Sequence, residues 1–102
     1  MPYITGRFNP GNSPEMAQRL PRGVIYEIQR MYYDTAQAFN EYTLPTFTTL
    51  VPHDHILFGT DYPFARAETV ARGLAASGLT ADEVRAIERA NALALLPRLA
   101  AR

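Results

Sequence analysis

The sequence contains no cysteine, which excludes a disulfide framework, a thiolate metal site and a thiolate nucleophile. It also contains no lysine. All ten basic residues are arginine, and ten Asp and Glu cancel them to a formal net charge of zero at pH 7. The balance holds in both halves of the chain, so the electrostatic footprint that nucleic acid or an anionic membrane surface requires is missing. No apolar run approaches the ~20 residues needed to cross a bilayer, and the first twelve residues lack the basic-then-apolar pattern of a signal peptide. There is no Gly-x-Ser-x-Gly elbow and no Gly-rich phosphate loop. These absences lead us to expect a cytoplasmic chain with no nucleic-acid partner and no membrane partner.

What is present is the composition of a folded domain. The chain has 102 residues, of which 47% are hydrophobic and 20% charged, enough for one modest core and too few for two domains of ~100–150 residues. Residues 1–102 are therefore expected to form a single unit. The turn formers of MPYITGRFNPGN mark an irregular lead-in. Ser13-Pro14-Glu15 has the residues of a helix start, with a hydroxyl cap and proline in the first turn; that helix ends at 21–23, and a second short helix follows over 24–30. MYYDTA (31–36) reads as a short buried strand. A helix begun by Pro45 and stopped by Pro52 carries Leu44, Phe47, Leu50 and Val51 on one face.

ILFG (56–59) is a continuous apolar run, the mark of a parallel strand covered on both faces. A helix over 65–77 is expected to end at a left-handed Gly78, with Leu79 folding back. Thr80-Ala81-Asp82-Glu83 matches a capping box, opening a last helix with a buried stripe of Val84, Ile87, Ala90, Ala94 and Leu95. Asn91 interrupts that stripe, and a polar side chain there has to find a partner; a structural hydrogen bond to neighbouring backbone is expected rather than a site. Strands alternating with helices imply a parallel sheet and α/β architecture. Two parallel strands leave both outer edges unpaired, so the sheet is expected to be part of a larger one.

Parallel strands present their reactive groups at their C-terminal ends, which singles out Asp34 and Asp61. A carboxylate directly after ILFGT, in a loop stiffened by Pro63, is suited to hold Zn²⁺, Mn²⁺ or Mg²⁺ or to accept a proton from metal-bound water. Spacing alone leaves it open whether Asp61 does this or caps a turn.

ILFGTDYPF resembles the last-strand motif of the amidohydrolase-related family that includes aminocarboxymuconate-semialdehyde decarboxylase and γ-resorcylate decarboxylase: an aliphatic run, then Gly, Ser, Asp, Tyr, Pro. Thr60 stands where Ser is common and keeps the hydroxyl. MYYDTA and ERANALALLPRL resemble the family's penultimate strand and final helix, so the likeness runs in order over about 23–99. The resemblance implies an α/β fold that is the C-terminal fragment of a (β/α)₈ TIM barrel, with one divalent metal at its C-terminal mouth. It implies that Asp61 is the metal-binding and catalytic Asp of the eighth strand. Asp34 and Thr35 would close the seventh, with Asp34 a buried, hydrogen-bonded support, and Tyr62, Pro63 and Phe64 would shape the loop beside the metal. A complete barrel needs ~250 residues, so about a third of one is expected, without the strands that carry the family's His-x-His pair and further His ligand.

His53-Asp54-His55 is itself a His-x-His, the right ligand types for Zn²⁺. It precedes its strand, however, whereas the family's pair follows one. At ~3.3 Å per residue, His55 lies roughly 20 Å from Asp61, too far to share an ion within one copy. We expect a solvated loop there. The functional expectation is a C-terminal fragment of a metal-dependent hydrolase or non-oxidative decarboxylase of small carboxylic or aromatic acids, inactive alone. Its divalent metal (Zn²⁺, Mn²⁺ or Mg²⁺) would be held in the intact enzyme and not by this chain alone. Its partners would be a small-molecule substrate and either a complementing N-terminal barrel part or further copies of the chain. The alternative expectation is a non-catalytic α/β module that self-associates through its open strand edges.

Overall fold

The computed structural model describes Arg7 and residues 14–100; the expected Ser13 cap and, apart from Arg7, the lead-in lie outside the described residues. Two short helices, α1 (Pro14–Arg19) and α2 (Val24–Arg30), precede strand β1 (Tyr33–Asp34). Helix α3 (Thr43–Leu50), a 3₁₀ turn (His53–His55) and strand β2 (Ile56–Leu57) follow. Helix α4 (Ala67–Ala75) then leads to a final helical run of α5 (Ala81–Arg85), a π turn (Ala86–Ala90) and α6 (Asn91–Leu95). The strands pair in parallel, Tyr33 opposite Ile56 and Asp34 opposite Leu57, with α3 forming the crossover between them.

The ladder is shorter than the sequence pattern implies. Only the centre of 31–36 joins it, and Met31 and Tyr32 are exposed. Ile56 is fully buried, whereas Leu57, Phe58 and Gly59 are half-buried, so the described helices cover the faces of the pair only in part. Helix α3 starts before Pro45: Asn40 Oδ1 accepts hydrogen bonds from the amides of Tyr42 (3.0 Å) and Thr43 (2.8 Å), which satisfies free donors of the first turn. Leu44, Phe47 and Val51 then point inward together with Ile56, Val70, Leu74 and Ile87 to make the core. Tyr33 closes it from β1, its ring edge-on to Phe47 at 5.2 Å and its hydroxyl donating to the Ile28 carbonyl at 2.8 Å. Burial pushes the Tyr33 phenol up, keeping it a neutral donor.

Gly73 lets α4 approach the loop that follows β1. A Cβ there would stand 2.5 Å from the Phe39 carbonyl oxygen and 2.7 Å from the Phe39 ring. Helix α4 ends near the left-handed Gly78 (φ 84°), and Leu79 packs against the core. The capping box is complete. Thr80 Oγ1 accepts from the Glu83 amide, and Glu83 Oε1 accepts from the Thr80 amide at 3.1 Å. Those bonds, with His53 nearby, hold the Glu83 carboxyl below the usual carboxylate range.

The last helix departs from the expected stripe. Val84 and Ile87 face inward, but Ala90, Ala94 and Leu95 are exposed, and Asn91, Ala92 and Leu93 turn toward the protein instead. The cause is the π turn: the Asn91 amide bonds back to Ala86, five residues away, and the extra residue rotates everything after it. That rotation buries Asn91, whose Nδ2 donates to the carbonyls of His53 (2.7 Å) and Ile56 (2.8 Å). The final helix is thereby fastened to the entry of β2. Replacing Asn91 with Leu leaves two inward carbonyls without a donor, and unfolding by urea should show a loss of about 1–3 kcal/mol; a loss below about 0.5 kcal/mol would mean that apolar contacts alone hold the helix.

Candidate functional site

Both strands run out toward the same end of the sheet, and their following loops meet there. The Thr35 amide donates to Leu57 O at 3.0 Å, the last backbone bond of the pair. Beyond it the buried Thr35 side chain takes over, its Oγ1 donating to Gly59 O (2.8 Å) and accepting from Gly59 N (3.0 Å). Gly59 has to be glycine in this arrangement. A Cβ would come within 2.8 Å of the Asp34 carboxyl carbon, closer than real side chains pack.

Asp34 is hydrogen-bonded, as the family resemblance implies, but it is exposed rather than buried. Its Oδ1 accepts from the Ala36 amide at 2.9 Å, an Asx turn that shapes the loop and leaves the side chain at the surface. Asp61 lies across from it in the loop after β2. It is exposed and sits at φ 58°, and its Oδ2 accepts from Gln37 Nε2 at 3.3 Å. Its own carbonyl accepts from the Phe64 amide at 2.9 Å, so backbone and side chain of Asp61 are engaged separately. Thr60 Oγ1 accepts from the Tyr62 amide at 3.1 Å, which is the use made of the hydroxyl in the GTDYP motif. Tyr62 and Phe64 follow Asp61 in the same loop and are 78% and 82% exposed.

As one oxygen donor Asp61 is suitable: it is ionisable, accessible and held between two loops. A metal shell takes more, since even an open catalytic site uses about three protein ligands. Among the described residues no group of three His, Asp or Glu converges. The residues of this chain fit one ligand of a divalent cation and do not make a closed site.

The two histidines stand at the other end of the strands, in the 3₁₀ turn that enters β2. His55 stacks on Tyr32, ring centroids 4.4 Å apart, and its Nδ1 lies 3.2 Å from the Met31 carbonyl. His53 Nδ1 is 3.7 Å from Glu83 Oε2. The turn is exposed or half-buried, as the sequence implies, yet each ring has a partner. Both belong to the closure of the sheet's entry and not to the Asp61 end.

Three participants in the Asp61 end have contacts that the sequence does not announce, although Thr35 and Gly59 lie within the family-like motifs. Thr35, Gln37 and Gly59 act through contacts between loops about 24 residues apart, visible only once the strands are paired. The glycine that ends the apolar run at 59 is the hint of a close approach there.

A parallel strand pair joined by a helical crossover, with a carboxylate at its C-terminal end, is α/β architecture. A model of the family described as Amidohydrolase matches residues 11–98, and the chain belongs to that family. The 6-methylsalicylic acid decarboxylase of Aspergillus aculeatus is 31% identical over 113 residues, covering 97% of this chain and 33% of that protein. In structure, the chain is similar to 2,6-dihydroxybenzoate decarboxylase from Rhizobium (TM-score 0.75, 24% identity, 95% of this chain and 31% of that one). It is also similar to a dihydroxybenzoic acid decarboxylase from Polaromonas sp. with bound manganese and the inhibitor 2-nitroresorcinol (TM-score 0.72, 22% identity, 92% of this chain and 30% of that one). The fold is accordingly a part of a TIM barrel, and the chain spans about a third of the length of the relatives it matches.

The stitch between the strand ends depends on one hydroxyl. In Thr35→Val the shape is kept and both bonds to Gly59 are lost, which should cost about 1–3 kcal/mol in urea unfolding. Stability within about 0.5 kcal/mol of the original would show that the strand ends are held by something else.

Proposed function

We propose that this chain provides the seventh and eighth strand units of an amidohydrolase-family barrel that decarboxylates small aromatic or carboxylic acids without oxidation, with Asp61 as its contribution to the reactive centre. The observation that carries the reading is the placement of Asp61: an exposed, hydrogen-bonded carboxylate at the C-terminal end of the parallel pair. Its family relation to a 6-methylsalicylic acid decarboxylase supports an aromatic acid as the substrate class and release of CO₂ as the reaction. Asp61 serves as oxygen ligand to a divalent metal and as proton acceptor, and Tyr62 and Phe64 offer exposed ring faces to an aromatic substrate. A bound divalent cation supplies Lewis acidity. The chain's own part is to hold Asp61 between two stitched loops.

The remaining ligands come from outside the described residues. The two open strand edges are the means by which they are brought in, because an unpaired parallel edge is completed by another strand. A polypeptide carrying the preceding barrel strands is the partner that supplies both strands and ligands. The site acts on a soluble substrate, and the proposed setting is the cytoplasm; no described helix is long and apolar enough to cross a membrane.

Assayed alone with Mn²⁺ or Zn²⁺, the chain should release no CO₂ from 6-methylsalicylate or 2,6-dihydroxybenzoate beyond the metal-only control. Combined with a polypeptide holding the preceding strands of a family decarboxylase, it should release CO₂, and Asp61→Asn should lower that rate by on the order of 100-fold or more, since losing a ligand costs more than losing the partner that orients one. Turnover by the chain alone, or combined turnover indifferent to Asp61→Asn, would contradict the reading.

A further inference from the structure

Among the described residues, two that are not glycine have a left-handed backbone: Gln37 (φ 59°) and Asp61 (φ 58°). They lie in different loops, 24 residues apart, and their side chains meet at the same end of the sheet. Left-handed geometry costs an ordinary residue roughly 1–2 kcal/mol. Asp is among the residues that tolerate it through local hydrogen bonding. Gln has no such local compensation, and glycine would adopt the same turn without strain.

The turn after β1 does not use the Gln37 side chain. Its bonds are Ala36 N to Asp34 Oδ1 at 2.9 Å and Ala38 N to Thr35 O at 2.9 Å, with the buried Thr35 side chain fixing the loop to Gly59. The backbone thus accounts for the turn and leaves the choice of a long polar side chain at 37 unexplained. What that side chain does is donate Nε2 to Asp61 Oδ2 at 3.3 Å. A carboxylate only accepts, so the amide presents its NH₂ and keeps its oxygen turned away. At 3.3 Å and in an exposed setting, the bond contributes orientation more than stability.

We propose that Gln37 is a positioning residue for Asp61: its carboxamide, delivered by a strained turn at the end of β1, holds Oδ2 and leaves Oδ1 as the oxygen available to a cation or substrate. This rests on Asp61 being the reactive carboxylate. It adds that the orientation of that carboxylate is set from the neighbouring strand unit, as partners behind a metal ligand commonly do. A side chain held in one orientation before its ligand arrives has less freedom to lose on binding.

The test uses the chain without a partner and the variant Gln37→Gly, which accepts the left-handed turn and removes the side chain that carries the amide. The thermal midpoint should not fall, which separates positioning from folding. Three-bond couplings from the Asp61 Cγ to its backbone N and carbonyl carbon should report one χ1 rotamer in the original chain and averaging in Gln37→Gly. Titrated with Mn²⁺ as probe, paramagnetic broadening of the amide signals around residue 61 should require about 10-fold more metal in Gln37→Gly, the lower range expected for loss of an orienting partner. An unchanged single rotamer in Gln37→Gly, or averaging already present in the original chain, would overturn the proposal. Asp61→Asn should abolish the broadening. If it does not, the assignment of Asp61 as metal ligand fails, while the rotamer comparison still decides what Gln37 does.

Discussion

A parallel ladder of two residues per strand has too few backbone bonds to fix its own ends, and buried side chains do so instead. At the entry of β2, Asn91 from the last helix donates to two carbonyls. At the exit, Thr35 donates to and accepts from Gly59. Asn91 and Thr35 are the buried polar residues of the described chain, and both are partnered; no buried side-chain nitrogen or oxygen among the described residues lacks a hydrogen bond. Full partnering matters because a buried polar group without a partner destabilises, whereas a satisfied one specifies a single arrangement.

The position of the Asp61 end follows from that constraint. With Thr35 and Gly59 locked together, the loops after β1 and β2 leave the sheet at a fixed separation, and Gly59 gives the Asp34 carboxyl group room against the backbone. Gln37 and Asp61 are then within reach of each other although both are on the surface. The apolar core of α3, α4 and Ile87 sets the sheet's place beneath the helices but says nothing about the loops. Among the described residues, the loop geometry at this end rests on a few side-chain bonds.

Much of this was legible in the sequence. The capping box at Thr80 and Glu83 and the left-handed Gly78 follow from neighbouring residues, and the parallel order of the two strands from their alternation with helices; the sequence implies that Asn91 is partnered but not that its partners lie 35 and 38 residues away. The position of the two histidines at the opposite end from Asp61 was legible too, since it needs only chain direction. The stripe on the last helix misled because Ala90, Ala94 and Leu95 fit a regular helical period, and alanine-rich sequence gives no sign of a π turn. Asn40 was passed over as a helix start because Pro45 is the louder signal. The burial that the family resemblance implies for Asp34 is not found among the described residues, where an Asx turn to Ala36 holds its side chain at the surface. The Gln37 to Asp61 contact depends on strand register, which no single segment carries.

The Thr35 hydroxyl, and not a longer ladder, closes the Asp61 end of the sheet. Native-state amide hydrogen exchange on the 102-residue chain measures this at one group. The Gly59 amide, whose partner is a side-chain oxygen, should exchange as slowly as the core amides of Val70 and Leu74, with an opening free energy near that of global unfolding. Exchange of Gly59 at the rate of an exposed loop amide would show that the strand ends are open, and that Asp61 is not held where the account places it.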